Sequence, residues 1–291
     1  MIDRPVFILG TGRSGTTLFL NVLALHPDFA WFSTYSQKLP GHPTVGLLSR
    51  VRDLPLADRL VSKSSRYVPR PIEAIAMLNY CTDSVFTSQR MLAASDVTEP
   101  TRRRYRATVE AFLRLQGKRR FVQKHTGFAR IRYLRAIFPD ALFIHVYRDG
   151  RAVANSMNKV DWWSGDFDSW WWDDIKPEYM QEYLDSGKEP IVLAGIVWKT
   201  LMDLIEEECG ELPEDRLIRI RYDEMVGDLP ATMREVVRFC GLRESPRFDR
   251  HVRSMRVANM DTKWVRRLSD RQKEMLERCI GEHLTKYGFR L

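Results

Sequence analysis

Residues 5–20 read Pro5-Val-Phe-Ile-Leu-Gly-Thr-Gly-Arg-Ser-Gly-Thr-Thr-Leu-Phe-Leu20, and the rest of the chain is laid out around them. Val6 to Leu9 is a short unbroken apolar run, as expected of a strand buried on both faces. Gly10, Gly12 and Gly15 permit a tight turn that brings backbone close to a ligand. Ser14, Thr16 and Thr17 add hydroxyls. Leu18, Leu20, Val22, Leu23 and Leu25 then recur as the apolar side of a helix. Strand, glycine-rich turn and helix start together make an anion site. Unpaired N–H groups and the helix dipole point at one spot.

The spacing can be set against the phosphate-binding pattern GxxxxGK[ST]. Gly10 and Gly15 match its glycines and Thr17 its last hydroxyl. Thr16 stands where the lysine belongs, and Arg13 lies inside the loop instead. Such a loop can cradle a phosphate, but it lacks the lysine that reaches the outer phosphates of ATP. That argues against an ordinary nucleoside triphosphatase.

The 291 residues suit one large α/β domain or two small ones, and 44% hydrophobic content supports a sizeable core. A net charge of +8 points to an anionic ligand or partner. No zinc-finger, RNA-binding or basic-zipper pattern is present, so nucleic acid is not the expected partner. Cys81, Cys209, Cys240 and Cys279 are widely spaced and form no CxxC pair. They read as reduced, mostly buried thiols of a cytoplasmic protein. Asp3 and Arg4 lead straight into a strand, so no signal peptide is expected. No run approaches the ~20 apolar residues of a transmembrane segment.

Further along, Phe29–Phe32 reads as a strand and Ser33–Pro43 as loop. Thr44–Tyr80 has a helical pattern broken by Pro55, Pro69 and Pro71. A helix is expected from Pro100 to about Gln116, then a strand at Phe121–Lys124 and a helix from Ile131 to Phe138. Ala141–Tyr147 is the next buried strand, and a helix starts at Arg148–Arg151. Pro190 opens a long helix to about Cys209, and Leu217–Arg221 is the last strand. Helices are expected near Pro230–Cys240, Pro246–Met255 and Ser269–Lys286. Alternating strands and helices give an α/β fold, a parallel sheet flanked by helices. Ligands bind such sheets at the carboxyl ends of the strands. That rule gathers residues 10–17, Lys124, His125, residues 148–156 and Tyr222 along one edge.

Arg148 follows a strand, and Ser156 lies about two helical turns further on. A guanidinium fork and a hydroxyl so placed can hold a second phosphate. Alternatively, Asp149 reads as a magnesium-holding acid. With both anion sites in view, the sequence resembles the sulfotransferases that use 3′-phosphoadenosine 5′-phosphosulfate (PAPS). GTGRSGTT resembles their 5′-phosphosulfate loop, in its PRSGTT form, and FPDALFIHVYRDGRAVANSM their 3′-phosphate strand and helix. FVQKH, RYDEM and the segment Lys263-Trp264 to Leu268-Ser269 resemble further family stretches, so the likeness runs from about Val6 to Tyr287.

The resemblance implies a P-loop-kinase-like sulfotransferase fold in a single domain spanning residues 1–291, with a Trp- and Asp-rich, lid-like insertion at about 160–190. It implies transfer of a sulfuryl group to a hydroxyl or amine, with no metal requirement. Gly12, Arg13, Ser14, Gly15, Thr16 and Thr17 should hold the 5′-phosphate side. Arg148, Ser156 and Lys263 should serve the 3′-phosphate, with Tyr222 and Trp264 near adenine. Arg13 and Lys124 are the candidate cations for the charge on the leaving oxygen.

Relatives of the PRSGTT type often carry a glutamate shortly after HPD, but no acid follows His26-Pro27-Asp28 at that place. His125 is therefore the candidate base, with His42 as second choice and a candidate acceptor-side residue. Trp162, Trp163 and Trp170 are candidate acceptor contacts for a small-molecule, carbohydrate or lipid acceptor. Three consecutive tryptophans, Trp170 to Trp172, fan over about 200° of a helix. At least one is therefore expected at a subunit contact, as in a homodimer, or along the acceptor site. The competing readings are an ATP-dependent small-molecule kinase with a degenerate P-loop, and a nucleotide-binding module without catalysis.

Overall fold

A computed structural model describes residues 2–53, 67–161, 163–167 and 175–290. Five strands form one sheet in the order β2-β3-β1-β4-β5. They are β1 (Val6–Gly10), β2 (Phe29–Ala30), β3 (Arg120–Thr126), β4 (Leu142–Tyr147) and β5 (Leu217–Arg221). Every pairing is parallel. β1 lies centrally and is buried throughout, as its unbroken apolar run requires.

Strand alternation divides the core. Phe7, Leu9, Phe121 and Phe143 face one side, with the helices α4 (Glu99–Gln116) and α5 (Ile131–Ile137). Val6, Ile8, Val122 and Ile144 face the other, with α1 (Thr16–Leu23) and α10 (Leu229–Cys240). A third cluster joins α6 (Gly150–Met157), α8 (Pro190–Cys209) and α13 (Asp270–Lys286) around Trp198, which is fully buried.

Several expected boundaries move. Ser33–Pro43 is not all loop: α2 (Thr34–Lys38) forms there, because Ser33 and Ser36 cap each other reciprocally. The helical pattern of Thr44–Tyr80 resolves into 3-10 turns over Pro43–Asp53 and the helix α3 (Ile75–Thr82), with residues 54–66 outside the described ones. Between them Pro71 bridges Ser33 in extended backbone. The sequence reading did not anticipate α7 (Pro177–Asp185), α9 (Tyr222–Gly227) or α12 (Lys263–Arg267), while α11 (Pro246–Ser254) lies where expected. Cys81, Cys209 and Cys240 are buried and Cys279 half-buried, all as free thiols. Among the described residues, no helix is long and apolar enough to cross a membrane.

Candidate functional site

The loop after β1 is built for close approach. A Cβ on Gly10 would come within 2.4 Å of the Val146 carbonyl oxygen. Gly15 has φ +90, and a Cβ there would meet the Tyr222 ring at 2.4 Å. Gly15 precedes α1 without a side-chain cap, so the first N–H groups of that helix have no capping side chain. Ser14 is fully buried and its hydroxyl is paired with Thr11, so it shapes the loop from beneath and does not line the cleft.

Above the loop opens a cleft of about 550 Å³. Arg13, Lys124, Arg148, Lys159, Lys263 and Arg267 line it, and no acid does among the described residues. Burial, then the Arg267 and Lys263 charges, hold the Lys159 ammonium below its ordinary value. Gly12, Gly15, Thr16, Thr17, Ser156 and Tyr222 share this lining. The two anion motifs, far apart in sequence, meet directly. Arg148 donates to the Arg13 carbonyl at 3.1 Å, and Arg13 Nε donates to Ser156 Oγ at 3.0 Å. Arg148 also stacks on Tyr222, 4.3 Å from the ring centroid, and donates to Asp261 Oδ1 at 2.8 Å. Burial raises the Asp261 carboxyl above its ordinary value, and the bonds from Arg148 only partly offset that.

Lys124 stands at the mouth of β3 and donates to Thr17 Oγ1 at 2.9 Å. On its other side lies Glu73, 3.4 Å away. The Glu73 carboxylate accepts from Thr126 N and Thr126 Oγ1, both at 2.8 Å, which fixes it across the end of β3. The sequence reading missed Glu73, since it lay within a stretch read as helical. Its signal was the run Pro69-Arg70-Pro71, which forces extended backbone just before an acid.

Other expected site residues lie elsewhere. His125 is a correction: it is 1% exposed, stacked on Phe7 and packed against Phe86, because neighbours on a strand point to opposite faces. Among the described residues both ring nitrogens lack hydrogen-bond partners, and burial, then the Arg130 and Lys124 charges, lowers the imidazole to about 3. His42 is exposed and lines neither the cleft nor the cavity beside it. Trp163 is buried against the third core cluster, with its indole N–H on Asn158 Oδ1 at 3.0 Å, and not along the cleft. Trp264 stacks on Arg151 at 4.4 Å instead of lining the cleft, whereas its neighbour Lys263 does line it. Trp162 and Trp170 lie outside the described residues. Asp149 caps α6 and is gripped by Arg151, Nη2 to Oδ2 at 2.8 Å, so it is not the open acid a magnesium site needs.

Residues 5–246 match the model of a family described as the sulfotransferase family. The chain is 22% identical, over 99% of its own length and 76% of the relative's, to the omega-hydroxy-beta-dihydromenaquinone-9 sulfotransferase Stf3 of Mycobacterium bovis. Its fold is similar to the sulfotransferase STF9 of Mycobacterium avium, with TM-score 0.54 and 17% identity over 100% of this chain and 78% of that one. It is also similar to STF1 of Mycobacterium tuberculosis H37Rv, with TM-score 0.56 and 14% identity over 97% and 77%.

Proposed function

The chain belongs to the sulfotransferase family, an enzyme family of sulfuryl transfer, and from that premise we propose PAPS as its donor. One observation carries the reading: the phosphate loop and Arg148 are joined in a single cleft lined by six cations and no acid among the described residues. A donor with phosphates at both ends of its ribose needs two anion sites, and this cleft supplies both. The backbone N–H groups at the start of α1, with Thr16 and Thr17, hold the 5′-phosphate. Arg148, Ser156 and Lys263 hold the 3′-phosphate. Tyr222 packs beside Arg148 and walls the nucleoside side.

In the transfer, an acceptor oxygen or nitrogen attacks sulfur while the bond from sulfur to the bridging oxygen breaks. Lys124 and Arg13 meet the charge that grows on that oxygen. Thr17 fixes the Lys124 ammonium in place. The name of Stf3 specifies a hydroxylated acceptor, which supports a hydroxyl acceptor here among the small-molecule, carbohydrate and lipid classes. We read the transfer as needing no metal, and Arg151 on Asp149 fits that reading better than an ATP-dependent kinase.

Two measurements test the donor. 3′-Phosphoadenosine 5′-phosphate (PAP) without metal should raise the melting temperature by several degrees, and ATP with magnesium should raise it far less. A larger shift with ATP would return the kinase. Asp261→Asn should tighten PAP binding by about tenfold, because the carboxylate and the 3′-phosphate draw on the same guanidinium. Calorimetry showing weaker binding would make Asp261 an orienting partner of Arg148 instead.

A further inference from the structure

Beside the cationic cleft lies a second cavity of about 410 Å³. Gly12 and Thr126 line both, so the two chambers share one wall. The character changes across it. Ile75, Phe86, Phe128, Val153, Met157 and Leu201 give the second chamber a mainly apolar surface. Arg130 also borders it, but its guanidinium is held by the Ser88 and Arg90 carbonyls and lies 4.7 Å over the Phe128 ring. That leaves Glu73. It is the only acid among the described residues lining either chamber, and no histidine lines either. It also lies within 3.4 Å of Lys124, which faces the donor cleft.

We infer that this cavity receives the acceptor, an uncharged, mainly apolar alcohol, and that Glu73 takes its hydroxyl proton. The inference rests on the donor assignment above and names the acceptor class for that same reaction. A protonated amine has no lone pair with which to attack, and an acidic acceptor would find the Arg130 guanidinium already held by the Ser88 and Arg90 carbonyls. A sugar would lose hydration at many hydroxyls to a wall with few partners for them. A single hydroxyl at the Glu73 end, with an apolar body behind it, leaves no such loss.

The step balances. The acceptor O–H proton goes to a Glu73 oxygen as the new O–S bond forms. The bond from sulfur to the bridging oxygen breaks, and its electron pair stays on the leaving PAP beside Lys124. Glu73 then gives its proton to water. Thr126 holds the carboxylate through two bonds, so its position across the shared wall does not depend on the acceptor.

The test uses the full chain with PAPS and four acceptors: 1-decanol, 2-phenylethanol, glucose and octylamine. Sulfated product is read by mass spectrometry and PAP binding separately by calorimetry. The two apolar alcohols should exceed glucose and octylamine in kcat/KM by about 10²-fold. Glu73→Gln should lower kcat by about 10²–10⁴-fold, flatten the acid limb of the pH–rate profile and leave PAP affinity unchanged. Thr87→Trp, at the exposed rim of the cavity, should raise KM for 1-decanol and spare PAP binding. Preference for glucose or octylamine, or no turnover of either alcohol by a chain that binds PAP, overturns the acceptor class. Full kcat in Glu73→Gln overturns the proton acceptor. Failure of the wild type to bind PAP overturns the donor assignment instead.

Discussion

Replacing Lys124 by alanine should lower kcat by about 10²–10³-fold while PAP binds nearly as before. The reason is timing. PAP carries the leaving oxygen as part of an ordinary phosphate, which on the proposed assignment the loop N–H groups serve. The extra charge on that oxygen exists only while the bond to sulfur breaks, and an interaction made only then appears in kcat. Lys124 is 9% exposed, so little water stands by to replace it, and its ammonium is anchored on Thr17 and Glu73. Its removal leaves Glu73 bonded to Thr126, so the fold around β3 persists. Single-turnover kinetics beside PAP calorimetry would decide the matter. A variant that lost only donor affinity would make Lys124 a binding residue.

The second large effect belongs to Arg148. Arg148→Ala should weaken PAP by roughly 10–150-fold, matching about 1.5–3 kcal/mol for a charge-assisted phosphate contact. Adenosine 5′-phosphate, which is PAP without its 3′-phosphate, should lose far less. Arg148 is 7% exposed and stacked on Tyr222, so its loss also loosens that ring. Arg148→Lys separates the two effects, since lysine restores charge without the planar fork. Equal losses for both ligands would end the assignment of Arg148 to the 3′-phosphate.

Much of this is legible in the sequence, because it rests on local rules. The apolar run of β1, the glycines after it and the Pro190 start of α8 specify their elements through steric and capping preferences alone. The joining of Arg148 to Arg13 follows from strand order, since β1 and β4 are sheet neighbours. His125 was misread although the same rules cover it: one residue after Lys124 on a strand, it had to face away. Glu73 was of another kind. Its place across Thr126 is set by the Ser33–Pro71 bridge and by its own backbone carbonyl accepting from Gln123. Both are contacts between distant segments with no periodicity to announce them. The helix α2 was missed for a smaller reason, a capping pair made of two serines without the usual glutamate.

The Arg148–Asp261 pair bears on how fast the enzyme can cycle. A bisphosphate product bound by two cationic sites would ordinarily leave slowly, because its departure exposes bare positive charge to a narrow cleft. Here an internal carboxylate stands 2.8 Å from the guanidinium that must let go. If Arg148 holds the 3′-phosphate as proposed, Asp261 would take over its bonds as that phosphate withdraws, and release would be an exchange of one anion for another. On the proposed assignment, the residue that lowers affinity for the incoming donor would also speed clearance of the spent one. Product inhibition and throughput would then be set against each other at a single side chain, and Asp261→Asn should shift both toward the slower, tighter side.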